Sequence, residues 1–195
     1  MDYRIQKLPT DVINIIKDFV CFKPKNTKEL NKAVRHWCED TVRALKKYGN
    51  ISNWNTSLIT SMENTFCNGL DGFNEDISYW DVSNVTNMKN TFHGCKEFNQ
   101  PLNWDVSKVT NMNFMFSNCE NFNQPLNDWD VSSVTNMESM FAGSTDDYWM
   151  MGMEVESSFN QPLNNWNVSS VTNMKNMFHR ASSFNQPLND WDVSS

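Results

Sequence analysis

From residue 51 onward the large apolar residues return to the same places about every 25 residues. The landmarks are Trp54, Trp80, Trp104, Trp129, Trp166 and Trp191, separated by 26, 24, 25, 37 and 25 residues. The long interval is one period plus a 12-residue insertion at 145–156. A fixed period of this size is the signature of a stacked array of like units. Within the unit at 122–141, Trp129 and Val131 stand two apart with Asp130 between them, which is the alternation of a strand. Met137, Met140 and Phe141 then stand at i, i+3 and i+4, which is one face of a helix. The same triplet is written at Met112, Met115, Phe116 and at Met174, Met177, Phe178; Met88 and Phe92 keep it with Thr91 in the middle position. Thr135 is placed to cap the first helical turn, and Gly94 and Gly143 suit helix C-termini. Pro101, Pro125, Pro162 and Pro187 mark a corner, because proline cannot donate to a ladder. Each unit therefore predicts one short parallel strand, a turn and a helix of one or two turns.

A unit of this size cannot bury its own apolar side chains, so copies must pile up and share a core. The expected core comprises the six tryptophans with Phe92, Phe116, Phe141 and Phe178. Stacking also turns sequence columns into ladders. Asn99, Asn123, Asn160 and Asn185 form one with Asn74 beneath, Gln100, Gln124, Gln161 and Gln186 a second, and Asn87, Asn111, Asn136 and Asn173 a third. Their amides are expected to donate to turn carbonyls one unit away. The fold class expected is an α+β repeat solenoid of about five and a half units over residues 51–195.

Residues 1–50 follow another rhythm. Pro9, Thr10 and Asp11 signal a helix start, and Val12, Ile15, Ile16, Phe19 and Val20 continue at a period of 3.6. Thr27 is expected to cap a second helix that buries Leu30, Ala33, Val34 and Trp37. Asp40 is expected to cap a third that carries Val42, Leu45 and Tyr48 and stops at Gly49. Such a helical segment is expected to cover the end of the array, since a bare end exposes core and unpaired backbone.

Charge divides the chain in the same place. Residues 1–50 carry a net +5 and residues 51–195 a net −12, giving −7 overall. No aromatic interleaving or nucleic-acid motif accompanies the lysines, so a solvated basic head is the expectation and nucleic acid is disfavoured as a partner. With no run of 18 apolar residues and no secretory leader pattern, the chain is expected to be cytoplasmic, not secreted, and without a membrane partner. Cys21, Cys38, Cys67, Cys95 and Cys119 show no paired spacing and read as free thiols. Cys95 and Cys119 share a column that demands a small residue.

Candidate chemistry is sparse. Asp81, Asp105, Asp130 and Asp192 share a column with Asn55 and Asn167; they read as turn formers that accept from the serine two residues on, with a calcium ladder as the alternative. His36, His93 and His179 assemble no nucleophile, base and orienting acid, so no enzyme, cofactor, catalytic residue or metal site is expected. The insertion concentrates Tyr148, Trp149, Met150, Met151 and Met153 among acids. Aromatics and methionines on a loop suit a protein interface, or fold back over the side of the array. Phe114, an apolar residue between the core positions of its unit, joins them as a partner-binding candidate.

The pattern FNQPLNxWDVSSVTNMxxMF, at Phe122–Phe141 and Phe159–Phe178, closely resembles the 26-residue repeat of BspA-like leucine-rich-repeat proteins. Residues 28–54 resemble the lead-in to such arrays in large DNA viruses and protists. The resemblance implies a leucine-rich-repeat-like solenoid used for protein–protein interaction, here inside a cell, including a virus-infected one. Leu8-Pro9-Thr10-Asp11-Val12 resembles the opening of an F-box. It implies, as an alternative, a substrate adaptor that docks a ubiquitin-ligase subunit through residues 8–20. Bacterial relatives of the repeat are often surface adhesins, and the resemblance therefore implies a surface adhesin as a third reading.

Overall fold

The computed structural model describes residues 21–67, 70, 72–143 and 155–194. The F-box-like start and the core of the insertion, with Tyr148, Trp149, Met150, Met151 and Met153, lie outside the described residues. Two helices open the described chain, α1 at Thr27–Glu39 and α2 at Thr41–Tyr48, followed by a 3-10 turn at Ile51–Asn53. Asn26, not Thr27, caps α1, its side chain accepting from the Glu29 N–H. Thr27 is freed for another bond, its hydroxyl donating to the Ser61 carbonyl. Leu30, Ala33, Val34 and Trp37 are buried as their spacing requires. Asp40 caps α2 and Gly49 ends it at φ 72°. The buried face of α2 is Ala44 and Tyr48, while Val42 and Leu45 face outward. No helix among the described residues is long and apolar enough to cross a membrane.

The units stack, but not as an α+β leucine-rich-repeat solenoid. Among the described residues no unit contains a strand or a helix. Successive units touch through single parallel bridges, Ser61 to Asn87, Asn87 to Asn111, Asn111 to Asn136 and Asn136 to Asn173. The rest is mostly turns and irregular backbone. In the central unit Trp129, Val134, Met140 and Ala142 each donate an N–H to the carbonyl three residues back, at 2.9–3.2 Å. The intervening N–H groups leave the unit: those of Met137, Ser139, Phe141 and Gly143 donate to Asn173, Lys175, Met177 and His179 of the next. That division is why the expected helix does not form. An α-helix needs those same N–H groups for its own carbonyls. Here every second one is given to a neighbour, and Ser139 sits in the left-handed region at φ 52°. The methionines and phenylalanine still fall on one face, because a run of three-residue turns repeats almost as a helix does. Thr135 likewise does not cap; its hydroxyl donates to the Thr110 carbonyl at 3.1 Å.

Three files of rings make the core. Phe66, Phe92, Phe116, Phe141 and Phe178 stack with centroids 4.9–5.8 Å apart and planes within 10°. Phe73, Phe98, Phe122, Phe159 and Phe184 form a second file alongside, 4.0–4.4 Å from the first. The tryptophans form the third and stitch units together. The indole N–H groups of Trp80, Trp104, Trp129, Trp166 and Trp191 donate to the carbonyls of Ile51, Ile77, Leu102, Leu126 and Leu163 at 2.8–3.1 Å. Trp54 through Trp166 are buried with Phe92, Phe116 and Phe141, whereas Trp191 and Phe178 are half-buried.

The amide ladders run opposite to the expected sense for asparagine. Each Oδ1 accepts: that of Asn123 takes the Asn160 N–H at 2.9 Å and the Gln161 Nε2 at 3.0 Å. Asn74, Asn99 and Asn160 do the same for their successors. Asn87, Asn111, Asn136 and Asn173 accept instead from the N–H two residues on, within their own units.

Candidate functional site

The outer turns of the units form one continuous face, and two of its columns hold left-handed backbone. The first is Asn64, Asn90, Phe114, Ser139 and Asn176, all at φ 52–57°. Asparagine and serine tolerate this region by short side-chain hydrogen bonds, but a bulky aromatic there is an outlier. The second column includes Gly94 at φ 77°, Asn118 at φ 61° and Arg180 at φ 55°. Gly94 thus serves a turn, not the end of a helix. At Gly143 the need is space, since a Cβ there would lie 2.1 Å from the Val155 carbonyl oxygen. The insertion follows Gly143 in the sequence, and Val155, the first residue described after it, lies against Gly143.

Between the two columns lies a trough of about 220 Å³. His93 and His179 stand at its two ends, because the units between them place the small Ser117 and Ala142 in that column. Phe114 is half-buried and meets the His93 imidazole edge-on, at 6.2 Å and 87°. Glu138 and Ser139 form one wall, with the Glu138 carboxylate accepting from Asn173 Nδ2 at 3.1 Å. Asn118 lines the trough too, and its Oδ1 is buried without a hydrogen-bond partner among the described residues. A buried acceptor left unsatisfied costs about 1–3 kcal/mol. Phe114 is thus the one described partner-binding candidate; it lies on this face, half-buried and in a turn. Sequence reasoning did not find Asn118 or the trough. The only signal was the small residues at 117 and 142 between two histidines.

The acidic column lies elsewhere, and its turns are closed by serine. Asp81, Asp105, Asp130 and Asp192 each take the N–H and hydroxyl of the serine two residues on at one carboxylate oxygen, at 2.6–3.1 Å. Asn167 does the same with Ser169. The serine hydroxyl, then its N–H, holds the carboxyls of Asp105, Asp130 and Asp192 below the ordinary value of 3.8. The native carboxyls bind protons less tightly than the unfolded chain does. Their contribution is therefore complete above the ordinary carboxylate range and is lost as pH falls through the lowered native values. A triple change of Asp105, Asp130 and Asp192 to Asn, the residue already at 167, should leave the neutral-pH melting temperature nearly unchanged. Melting scans from pH 6 to pH 3 should then fall less steeply than those of the parent.

The surroundings of Cys38, Cys67 and Cys119 hold their thiols protonated. Cys95 and Cys119 are buried and donate to the Phe66 and Phe92 carbonyls of the preceding units. Burial pushes the Cys119 thiol far up, and burial with Glu75 and Glu39 pushes Cys38 up to about 11. A thiol held protonated is a poor nucleophile at neutral pH.

These features define a class: a helix-capped array of turn-built repeats whose outer face carries a shallow polar and aromatic trough. The family described as "Mycoplasma protein of unknown function, DUF285" matches residues 38–149 and 149–195, so the chain belongs to it. The match includes α2 and all the units. No curated protein and no solved structure matches the chain.

Proposed function

We propose that this protein is a non-enzymatic protein–protein interaction module whose recognition surface is the outer turn face around Phe114. The observation that carries this reading is the backbone of Phe114 itself. Four units place asparagine or serine at that column, and the fifth holds an aromatic ring in the same left-handed turn. Strain of this kind costs about 1–3 kcal/mol and persists where something other than stability retains it. Two further features support the reading. Asn118 offers in the same trough an acceptor without a partner among the described residues, and Gly143, which lines that trough, stands two residues before the insertion in the sequence. The matching partner brings an apolar side chain to lie by Phe114 and an N–H or O–H donor for Asn118.

The test is Phe114→Asn. The variant should melt higher, by the equivalent of about 1 kcal/mol. Affinity purification with quantitative mass spectrometry should lose the proteins retained by the parent chain. The same loss is expected when residues 145–156 are replaced by a short glycine linker. A more stable variant that retains the same proteins at the same yield would remove this face from consideration.

A further inference from the structure

The described side chains that line the trough offer acceptors without a cation. Glu138 is the one Asp, Glu, Lys or Arg among them. Glu63, in the same column, pairs with Lys89 of the unit that follows it at 3.7 Å. Glu138 has no ion pair among the described residues, although Lys175 follows it in that column. Its Oε2 accepts from the neutral Asn173 Nδ2 at 3.1 Å, and its Oε1 has no partner among the described residues. Asn118, also on the lining, has an Oδ1 that is buried and without a partner among the described residues. Asn113 Oδ1, on the residue before Phe114, is in the same state.

Size and charge narrow the occupant. The trough holds about 220 Å³, less than the roughly 300–1,000 Å³ of a pocket for a free small molecule. It suits one side chain of a larger partner. The half-buried Phe114 ring supplies an apolar wall. Residues 51–195 carry a net −12, so the field of the array draws cations and repels acids. One side chain meets all of these demands. Arginine carries five N–H donors and no acceptor, keeps its charge at any working pH, and lays a planar group on an aromatic face. Lysine brings its charge as a point, with no plane to stack. A hydroxyl or amide side chain leaves Glu138 without a counter-charge.

We propose that the trough binds an arginine side chain of a basic segment on the partner protein, the guanidinium lying against Phe114 and its N–H groups serving Glu138 and Asn118. This inference rests on the reading of the Phe114 face as the recognition surface, and it names what that face recognises. It also gives the apolar contact at Phe114 and the donor for Asn118 a single source. The methylene stem of an arginine packs on apolar surface while its head stays with polar groups. Lys175 and Arg180 of the next unit do not line the trough. The cation that Glu138 takes therefore comes from the partner.

The experiment titrates the full, isotope-labelled chain with capped pentapeptides and follows its amide resonances. The probe is Gly-Ser-Arg-Ser-Gly, with counterparts carrying lysine, citrulline or norleucine at the centre. The arginine peptide should move the resonances of Phe114, Asn118 and Glu138 saturably, in the millimolar range of a single-side-chain contact. Citrulline, its neutral isostere, and norleucine should bind roughly tenfold more weakly or less. Lysine should fall between. Glu138→Gln keeps an oxygen for Asn173 and should weaken the arginine peptide by roughly tenfold. Asn118→Asp, which left-handed backbone tolerates, should tighten it. Unchanged resonances away from the trough check that both variants fold. No saturable response at the trough, citrulline equal to arginine, or an arginine response indifferent to both variants overturns the proposal. So does tighter binding of free arginine than of the capped peptide, since the ligand would then be the amino acid itself. Whether Phe114→Asn loses the retained proteins is a separate result, so the recognition surface can stand while its arginine occupant fails.

Discussion

Truncating Phe116 to alanine is expected to cost about 3–5 kcal/mol, the range for deleting a fully buried aromatic. Phe116 sits in the middle of its file, with Phe92 at 5.5 Å on one face and Phe141 at 5.7 Å on the other. Phe122 lies closer still, at 4.1 Å in the adjacent file. The cavity would therefore open onto two neighbouring units at once, and neither can collapse into it without breaking its own turns. Phe178→Ala is the internal comparison. That ring is half-buried, has Phe141 on one side at 5.8 Å, and has Phe184 at 4.2 Å. Urea unfolding of the two variants should place Phe178→Ala clearly nearer the parent. Equal losses would mean that the rings do not act as a shared stack.

The second large effect is expected at Asn123, which bridges the two units flanking the insertion. Its Oδ1 takes a backbone N–H and a side-chain amide from residues 160 and 161, which lie 37 and 38 positions further along the sequence. Asn123→Ala leaves both donors without their acceptor. At about 1–3 kcal/mol for each unsatisfied group, less what water restores at a half-buried site, the loss should be about 2–4 kcal/mol. Asn123→Asp should be far milder, because the native role is acceptance alone and a carboxylate accepts more strongly. Denaturant midpoints of the pair decide the matter. An aspartate variant as damaged as the alanine one would show that the amide's N–H₂, not its oxygen, carries the ladder.

These two residues also mark what could be read from the letters. The period, the tryptophan file and the burial of the methionine and phenylalanine columns follow from spacing alone, since recurrence fixes which residues must face a common interior. The local conformation does not. Met137, Met140 and Phe141 share a face equally well on a helix or on consecutive three-residue turns. The deciding fact is where alternate N–H groups go, which depends on a neighbour 25 residues distant. Trp129 and Val131 misled in the same way: alternation there reflects a corner packing two side chains inward, with a single bridge following at Asn136. The second phenylalanine file, through Phe98, Phe122 and Phe159, stood in plain view as the first letter of its motif. Its place beside the first file needed the turn at Cys119, whose N–H donates back to Phe116 before Phe122 donates to Cys119. At the candidate face, Phe114 was visible as an oddity. Its backbone strain was not, because a left-handed residue is inferred from its turn, and the turn had been taken for a helix.

The repeated bonding between units has one further consequence. Each described bridge between units repeats the alternate N–H donors, the returning threonine N–H and the stacked phenylalanines, so these shared bonds tie no unit to its ordinal position. A copy could be inserted or removed from the interior, and the severed partners would find equivalents one period away. The length of such a molecule is therefore free to drift over generations by duplication and loss, while the helical start and the sequence insertion at 145–156 remain the points by which an individual array keeps its identity.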